Sequence, residues 1–121
     1  MDNKKTLILG ASNNPSRYSF TAAQRLTKAE HLVVLVGVKR GEVAGQQILH
    51  STKGISNIHT VTLYLSQKNQ VTYENFILAL KPQRVIFNPG AENVPFMEKL
   101  SEAGIEAVEA CTLVMLSTGQ F

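Results

Sequence analysis

The residue types best suited to hold a ligand stand together near the start of the chain. Gly10-Ala11-Ser12-Asn13-Asn14-Pro15-Ser16-Arg17-Tyr18-Ser19 follows the apolar run Thr6-Leu7-Ile8-Leu9. Ser12, Ser16 and Ser19 bring hydroxyl donors, and Arg17 brings a planar fork of N–H groups that matches a phosphate. Gly10 and Ala11 are small enough to let an anion reach the backbone. Asn14 suits a helix N-cap, and Pro15 suits the first helical position because it has no N–H to lose and its φ is already helical. The pattern predicts a strand, a glycine-led loop and a helix N-terminus, whose first N–H groups lack intrahelical partners and attract anions. Neither G-x-G-x-x-G nor G-x-x-x-x-G-K-[ST] is present, so an ordinary strand-to-helix turn fits the same residues.

Further candidates lie along the chain. Val36-Gly37-Val38-Lys39-Arg40 puts two cations where an NAD-binding chain carries an acid after its second strand. That disfavours NAD and favours a ligand with an additional ribose phosphate. NADP and coenzyme A both fit, and a solvated Lys-Arg turn is the ordinary alternative. Cys111 precedes a helix start, where a thiolate would be stabilised, but it has no evident base partner, so an inert buried thiol competes with a reactive one. His31, His50 and His59 fall outside the loops expected to follow strands and read as surface or structural groups; no pair has metal-ligand spacing. Glu92 has no second carboxylate to work with and reads as a helix-cap charge. Tyr18 and Tyr64 have the shape to stack on an adenine, and Tyr64 fits the core as well.

The elements that must position these groups alternate between strand and helix. Strands are expected over Thr6–Leu9 and residues 31–38, 58–65, 84–88 and 105–110. The first helix is expected over residues 16–30, with Phe20, Ala23, Leu26 and Thr27 on one face. Residues 39–47 read as a polar, glycine-punctuated connection and 67–69 as a loop. Further helices are expected over residues 71–80, ended by Pro82, and 94–103, capped by Asn93 and ended by Gly104, with a final turn or two over Thr112–Ser117. The alternation predicts an α/β, Rossmann-like open parallel sheet of about five strands with flanking helices. In such a sheet ligands bind beyond the carboxyl ends of the strands. The loops 10–19, 38–40, 65–68, 88–93 and 111–112 should then meet at one crevice.

Composition sets the outer bounds. The 121 residues suit one domain; 44% are hydrophobic and 17% charged, as in a globular chain. The net charge of +3 comes from scattered basic residues, and there is no tryptophan, which argues against a nucleic-acid surface and is compatible with a polyanionic small ligand. No apolar run nears the roughly 18 residues of a membrane span. The start of the chain shows no signal peptide, so a cytoplasmic location is expected. The single cysteine rules out an internal disulfide and fits a reducing compartment.

Gly10-Ala11-Ser12-x-x-Pro15-x-Arg17-x-Ser19, Lys39 after the second strand, Asn88-Pro89-Gly90-Ala91-Glu92-Asn93 after the fourth and Cys111 after the fifth together resemble the small stand-alone CoA-binding domain proteins of bacteria. These are built like the CoA-binding domain of the succinyl-CoA synthetase alpha subunit, and the resemblance spans essentially the whole chain. It implies cofactor-binding residues Gly10, Ala11, Ser12, Pro15, Arg17 and Ser19 in the first loop, Val38 and Lys39 after strand two, Leu65 after strand three, Pro89, Gly90 and Asn93 after strand four, and Cys111. Gly10, Ser12, Arg17 and Ser19 would hold phosphates, Lys39 would stand near the adenosine phosphate end, and Pro89, Gly90 and Asn93 would shape the wall facing the pantetheine arm. The chain departs from the family at Gly37-Val38, where Asn-Pro is common, and at Leu65-Ser66, where an arginine is frequent. The implied function is binding of coenzyme A or an acyl-CoA without catalysis or metal. The alternatives are a small NADP- or acyl-CoA-using enzyme completed by a homo-oligomer or protein partner, and a degenerate nucleotide-binding interaction module.

Overall fold

The computed structural model describes residues 3–121. Its centre is a run of short strands: β1 (Thr6–Leu9), β2 (Val33–Val36), β5 (Thr60–Leu63) and β6 (Arg84–Phe87), with β7 (Glu106–Glu109) at one edge. Every residue of β1, β5 and β6 is buried. That explains their unbroken apolar or β-branched character: a parallel strand under helices has no solvent face. The pairing is parallel and in simple register, with Leu7 opposite Val34 and Val61, and Val61 opposite Val85.

The sheet has seven strands in the order β3-β4-β2-β1-β5-β6-β7, two more than the five expected. Both additional strands come from the segment read as an irregular connection. Glu42–Val43 (β3) runs antiparallel to Gln46–Leu49 (β4), and β4 pairs parallel with β2. Ala44 (φ 52°) and Gly45 (φ 84°) join the pair; two successive left-handed residues form the tight turn that matches strand twist. The hairpin is polar because it is an edge. Glu42, Gln46, Gln47 and Leu49 face solvent, while Val43 and Ile48 alone turn inward.

Side-chain parity assigns the helices to layers. Leu7, Leu9, Val61, Leu63, Val85 and Phe87 pack with Ile77 of α3 (Glu74–Leu80) and with Phe96 and Leu100 of α4 (Val94–Glu102). Ile8, Val33, Leu35 and Ile86 face the other way, onto Ala22, Ala23 and Leu26 of α1 (Tyr18–Lys28) and Leu113 and Leu116 of α5 (Thr112–Ser117). The expected loop at 67–69 is helical: α2 (Gln67–Gln70) runs through a 3-10 turn at Val71–Tyr73 into α3. No helix among the described residues is long and apolar enough to cross a membrane.

The amino ends of the strands carry a cationic cluster. Arg84 is buried, donates from Nε to Thr60 Oγ1 at 2.8 Å, and lies 4.4 Å from the centre of the Phe121 ring. His31 packs against the same ring at 5.1 Å and accepts the Lys4 amide on Nδ1. His31 and His59 thus stand at the opposite end of the sheet from the strand-end loops. His50 differs from its expected place, since it follows β4; its Nδ1 lies 3.1 Å from the Gly37 carbonyl.

Candidate ligand-binding cleft

The carboxyl ends of β2, β1, β5 and β6 enclose a cleft of about 490 Å³. The chain order reverses here: from β1 it passes to β2 and β4 on one side, then crosses back to β5 and β6 on the other. The loops diverge at this switch and leave a crevice.

The first loop forms its floor. Gly10 and Ala11 both donate their amides to the Val36 carbonyl, at 3.0 and 2.9 Å, which ties the loop to the end of β2. Gly10 holds φ +90°, and a Cβ there would lie 2.7 Å from the Tyr64 carbonyl oxygen. Only glycine lets β1 leave the sheet this close to the end of β5. The next residues bond to one another. Ser12 Oγ accepts the Asn14 amide at 3.0 Å; Asn14 Oδ1 accepts the Ser16 amide at 3.0 Å and the Ser16 hydroxyl at 2.8 Å. The Arg17 amide donates to the Asn14 carbonyl at 3.0 Å. Asn14–Arg17 is therefore a β-turn with Pro15 at its second position, a place proline's fixed φ favours. This corrects the expected helix start: Asn14 caps a turn, the N-cap residue is Arg17, and α1 begins at Tyr18. No side chain among the described residues caps α1. Arg17, Tyr18 and Ser19 at its start line the cleft, and a helix N-terminus placed there can bind an anion.

Ten of the expected residues line this space: Gly10, Ala11, Ser12, Arg17, Ser19, Val38, Lys39, Leu65, Pro89 and Gly90. Pro15, Asn93 and Cys111 do not. Pro15 is exposed on the outside of the turn. Asn93 is buried; its Oδ1 accepts the Phe96 amide as the cap of α4, and its Nδ2 donates to Gln70 Oε1 at 2.8 Å. Cys111 follows β7, the edge strand, and the chain turns inward at once: Thr112 donates its amide to Asn88 Oδ1 at 2.8 Å, and its hydroxyl meets Thr62 Oγ1 at 2.8 Å. Four of the five expected loops thus contribute to the cleft.

Asn13, Gly37, Ser66, Tyr73 and Ala91 also line the cleft and were not singled out by type or spacing. Gly37 had a readable signal, a glycine at a strand end; a Cβ there would lie 2.2 Å from the Ala11 carbonyl oxygen. Tyr73 had none, because the 3-10 turn that carries it is set by tertiary packing. Tyr64 lines the cleft while its hydroxyl is buried without a hydrogen-bond partner among the described residues, the adjacent Thr62 and Thr112 hydroxyls being paired with each other. Burial pushes this phenol up to about 12.

The strand order arranges the cleft by charge. Lys39 follows β2, and Arg17, Ser12 and Ser19 follow β1; Leu65 follows β5, and Pro89, Gly90 and Ala91 follow β6. The cations of the lining occupy one half, and uncharged groups line the other.

Comparison with known proteins agrees with this architecture. The family model described as "CoA binding domain" matches residues 4–117. A crystal structure of a protein described only as uncharacterized is 52% identical over 100% of both chains, with a TM-score of 0.96. Two structures share the fold at lower identity: cell-free ID.343 from Thermus thermophilus (23% identity, 98% of this chain and 91% of that one, TM-score 0.84) and a hypothetical protein from Pyrococcus horikoshii OT3 (24%, 96% and 83%, TM-score 0.86). Among curated proteins none matches. With a Rossmann-like sheet, a cleft at its switch point and a family match over nearly its whole length, this chain belongs to the CoA binding domain family.

Proposed function

We propose that this protein binds coenzyme A or an acyl-CoA in the cleft and performs no reaction of its own there. The observation that carries the reading is the division of the cleft. Coenzyme A concentrates its charge on a ribose phosphate and a diphosphate and continues as a neutral amide arm. Laid across the ends of β2, β1, β5 and β6, it would meet Lys39, then the Arg17–Ser19 helix start, then Leu65 and the Pro89–Ala91 wall. Three strand spacings of roughly 4.8 Å make this a path of about 14 Å, which suits an extended ligand. The start of α1 would offer the diphosphate backbone N–H groups, and Arg17 supplies a bidentate fork.

The test is thermal stabilisation and calorimetric titration with CoA, dephospho-CoA, acetyl-CoA, NADP, NAD and ATP. A ligand at a hundredfold excess over its dissociation constant should stabilise the fold by about 2.7 kcal/mol. CoA is expected to bind, Arg17→Ala to weaken it by about tenfold or more, and Cys111→Ala to leave it intact. Lys39→Ala should weaken CoA and leave dephospho-CoA unchanged, since that ligand lacks the phosphate Lys39 would meet. Stabilisation by NADP without CoA would refute the assignment in favour of a dinucleotide-dependent enzyme. Indifference to every ligand would favour an interaction module.

A further inference from the structure

Gln70 is completely buried, a rare place for an amide side chain. Both of its polar atoms are hydrogen-bonded. Its Nε2 donates to the Leu65 carbonyl at 2.8 Å and to the Ala91 carbonyl at 2.7 Å. Its Oε1 accepts from Asn93 Nδ2 at 2.8 Å, and Asn93 in turn caps α4 by accepting the Phe96 amide. One amide therefore joins two loops that no strand pairing joins: Leu65 follows β5, Ala91 follows β6, and both line the uncharged half of the cleft. The relay also fixes the amide's sense, because α4's cap requires Asn93 Oδ1 to face Phe96, which leaves Nδ2 for Gln70 and obliges Gln70 to present Nε2 to both carbonyls.

We infer that Gln70 is a positioning residue that sets the spacing of the wall against which the pantetheine arm lies, and so governs how strongly the protein prefers whole coenzyme A to its nucleotide portion. The inference rests on the proposed CoA-binding function. Gln70 touches no part of the cleft itself; it acts through Leu65 and Ala91. Of the groups that would hold the phosphates, Lys39 follows β2 and Arg17 with the helix start follows β1, and none of them is hydrogen-bonded to this relay. Loosening it should therefore injure arm recognition and spare nucleotide recognition.

The experiment compares the affinities of CoA and adenosine 3′,5′-bisphosphate, which carries the nucleotide phosphates and no arm. Gln70→Glu keeps the shape and the acceptor for Asn93 while turning both carbonyl contacts repulsive. Asn93→Asp keeps the α4 cap, since the carboxylate still accepts the Phe96 amide, but forces the Gln70 amide to reverse and release both carbonyls. Should Gln70→Glu fail to fold, Asn93→Asp makes the same comparison. The expected result is a loss of about tenfold in CoA affinity, on the scale of a hydrogen bond or two, with the bisphosphate affected by less than about twofold. Equal losses for both ligands, or no loss for either, would overturn the inference and leave the proposed function standing. Wild-type protein that binds neither would refute the proposed function, and the inference with it.

Discussion

The first loop allows a paired prediction, because Gly10 and Gly90 hold nearly the same positive φ, +90° and +94°, in different surroundings. An alanine at Gly90 meets only the conformational cost, about 1–2 kcal/mol, since no described atom lies within 4 Å of its Cβ. An alanine at Gly10 meets the same cost and a collision besides. Its Cβ would lie 2.7 Å from the Tyr64 oxygen, 2.9 Å from the Tyr64 carbon and 3.1 Å from Leu65 Cδ2. The Leu65 methyl can move, but the Tyr64 backbone cannot move freely, because its amide is bonded to the Leu9 carbonyl at 2.9 Å and it ends a central strand. Overpacking of this kind costs about 1–3 kcal/mol more. Gly10→Ala should therefore cost about 2–5 kcal/mol and Gly90→Ala about 1–2. At roughly 4 °C per kcal/mol for a chain of this size, the midpoints of these ranges correspond to falls in melting temperature of about 14 °C and about 6 °C. Urea and thermal unfolding without ligand measure both. Equal losses would refute the argument that close approach to β5 is what requires Gly10.

Two further outcomes are expected. Burial, with added repulsion from Lys4 and Arg84, holds His31 below its ordinary value, and the same causes act on His59. The unfolded chain then takes up these protons more readily, so the stability they contribute is complete above about pH 6.5 and drains away as the pH falls through the lower folded-state values. Melting followed from about pH 8 to about pH 5 should show this decline, and a profile unchanged in His31→Gln would exclude a contribution from that residue. Phe121→Ala should cost about 3 kcal/mol, since the ring is buried over Arg84 and against His31; a loss under about 1 kcal/mol in urea titration would show that the cluster does not depend on it.

What was legible in the sequence follows from where each signal originates. β1 and the core of β2 could be read because a strand buried on both faces admits almost nothing but apolar and β-branched residues. The helix over Thr112–Ser117 and the cap at Asn93 were legible for local reasons as well. The β3–β4 hairpin was not, because an edge strand exposes its side chains and so reads as a loop; only the Ala44-Gly45 turn betrays it, and alanine is a poor signal for a left-handed residue. The start of α1 lies later than expected because Asn-Pro serves a β-turn as well as a helix cap.

The motif residues after β6 show why conspicuous polar side chains are a poor guide to what a cleft presents. Asn88 and Asn93 are the most distinctive residues of Asn88-Pro89-Gly90-Ala91-Glu92-Asn93, and both face inward. Asn88 Nδ2 donates to Thr62 Oγ1 at 2.7 Å and to the Leu63 carbonyl at 2.8 Å, while its Oδ1 accepts the Thr112 amide. It thereby joins β5, β6 and the start of α5 at the point where their ladder bonds run out. Asn93 does the same for α2 and α4 through Gln70. What remains for the cleft is Pro89, Gly90 and Ala91, three residues with no polar side-chain atom between them. A wall of this composition cannot recognise a ligand by side-chain hydrogen bonds, which leaves its shape and its backbone groups. Shape here is set by the buried amides, each of which must remain satisfied for the wall to hold its place.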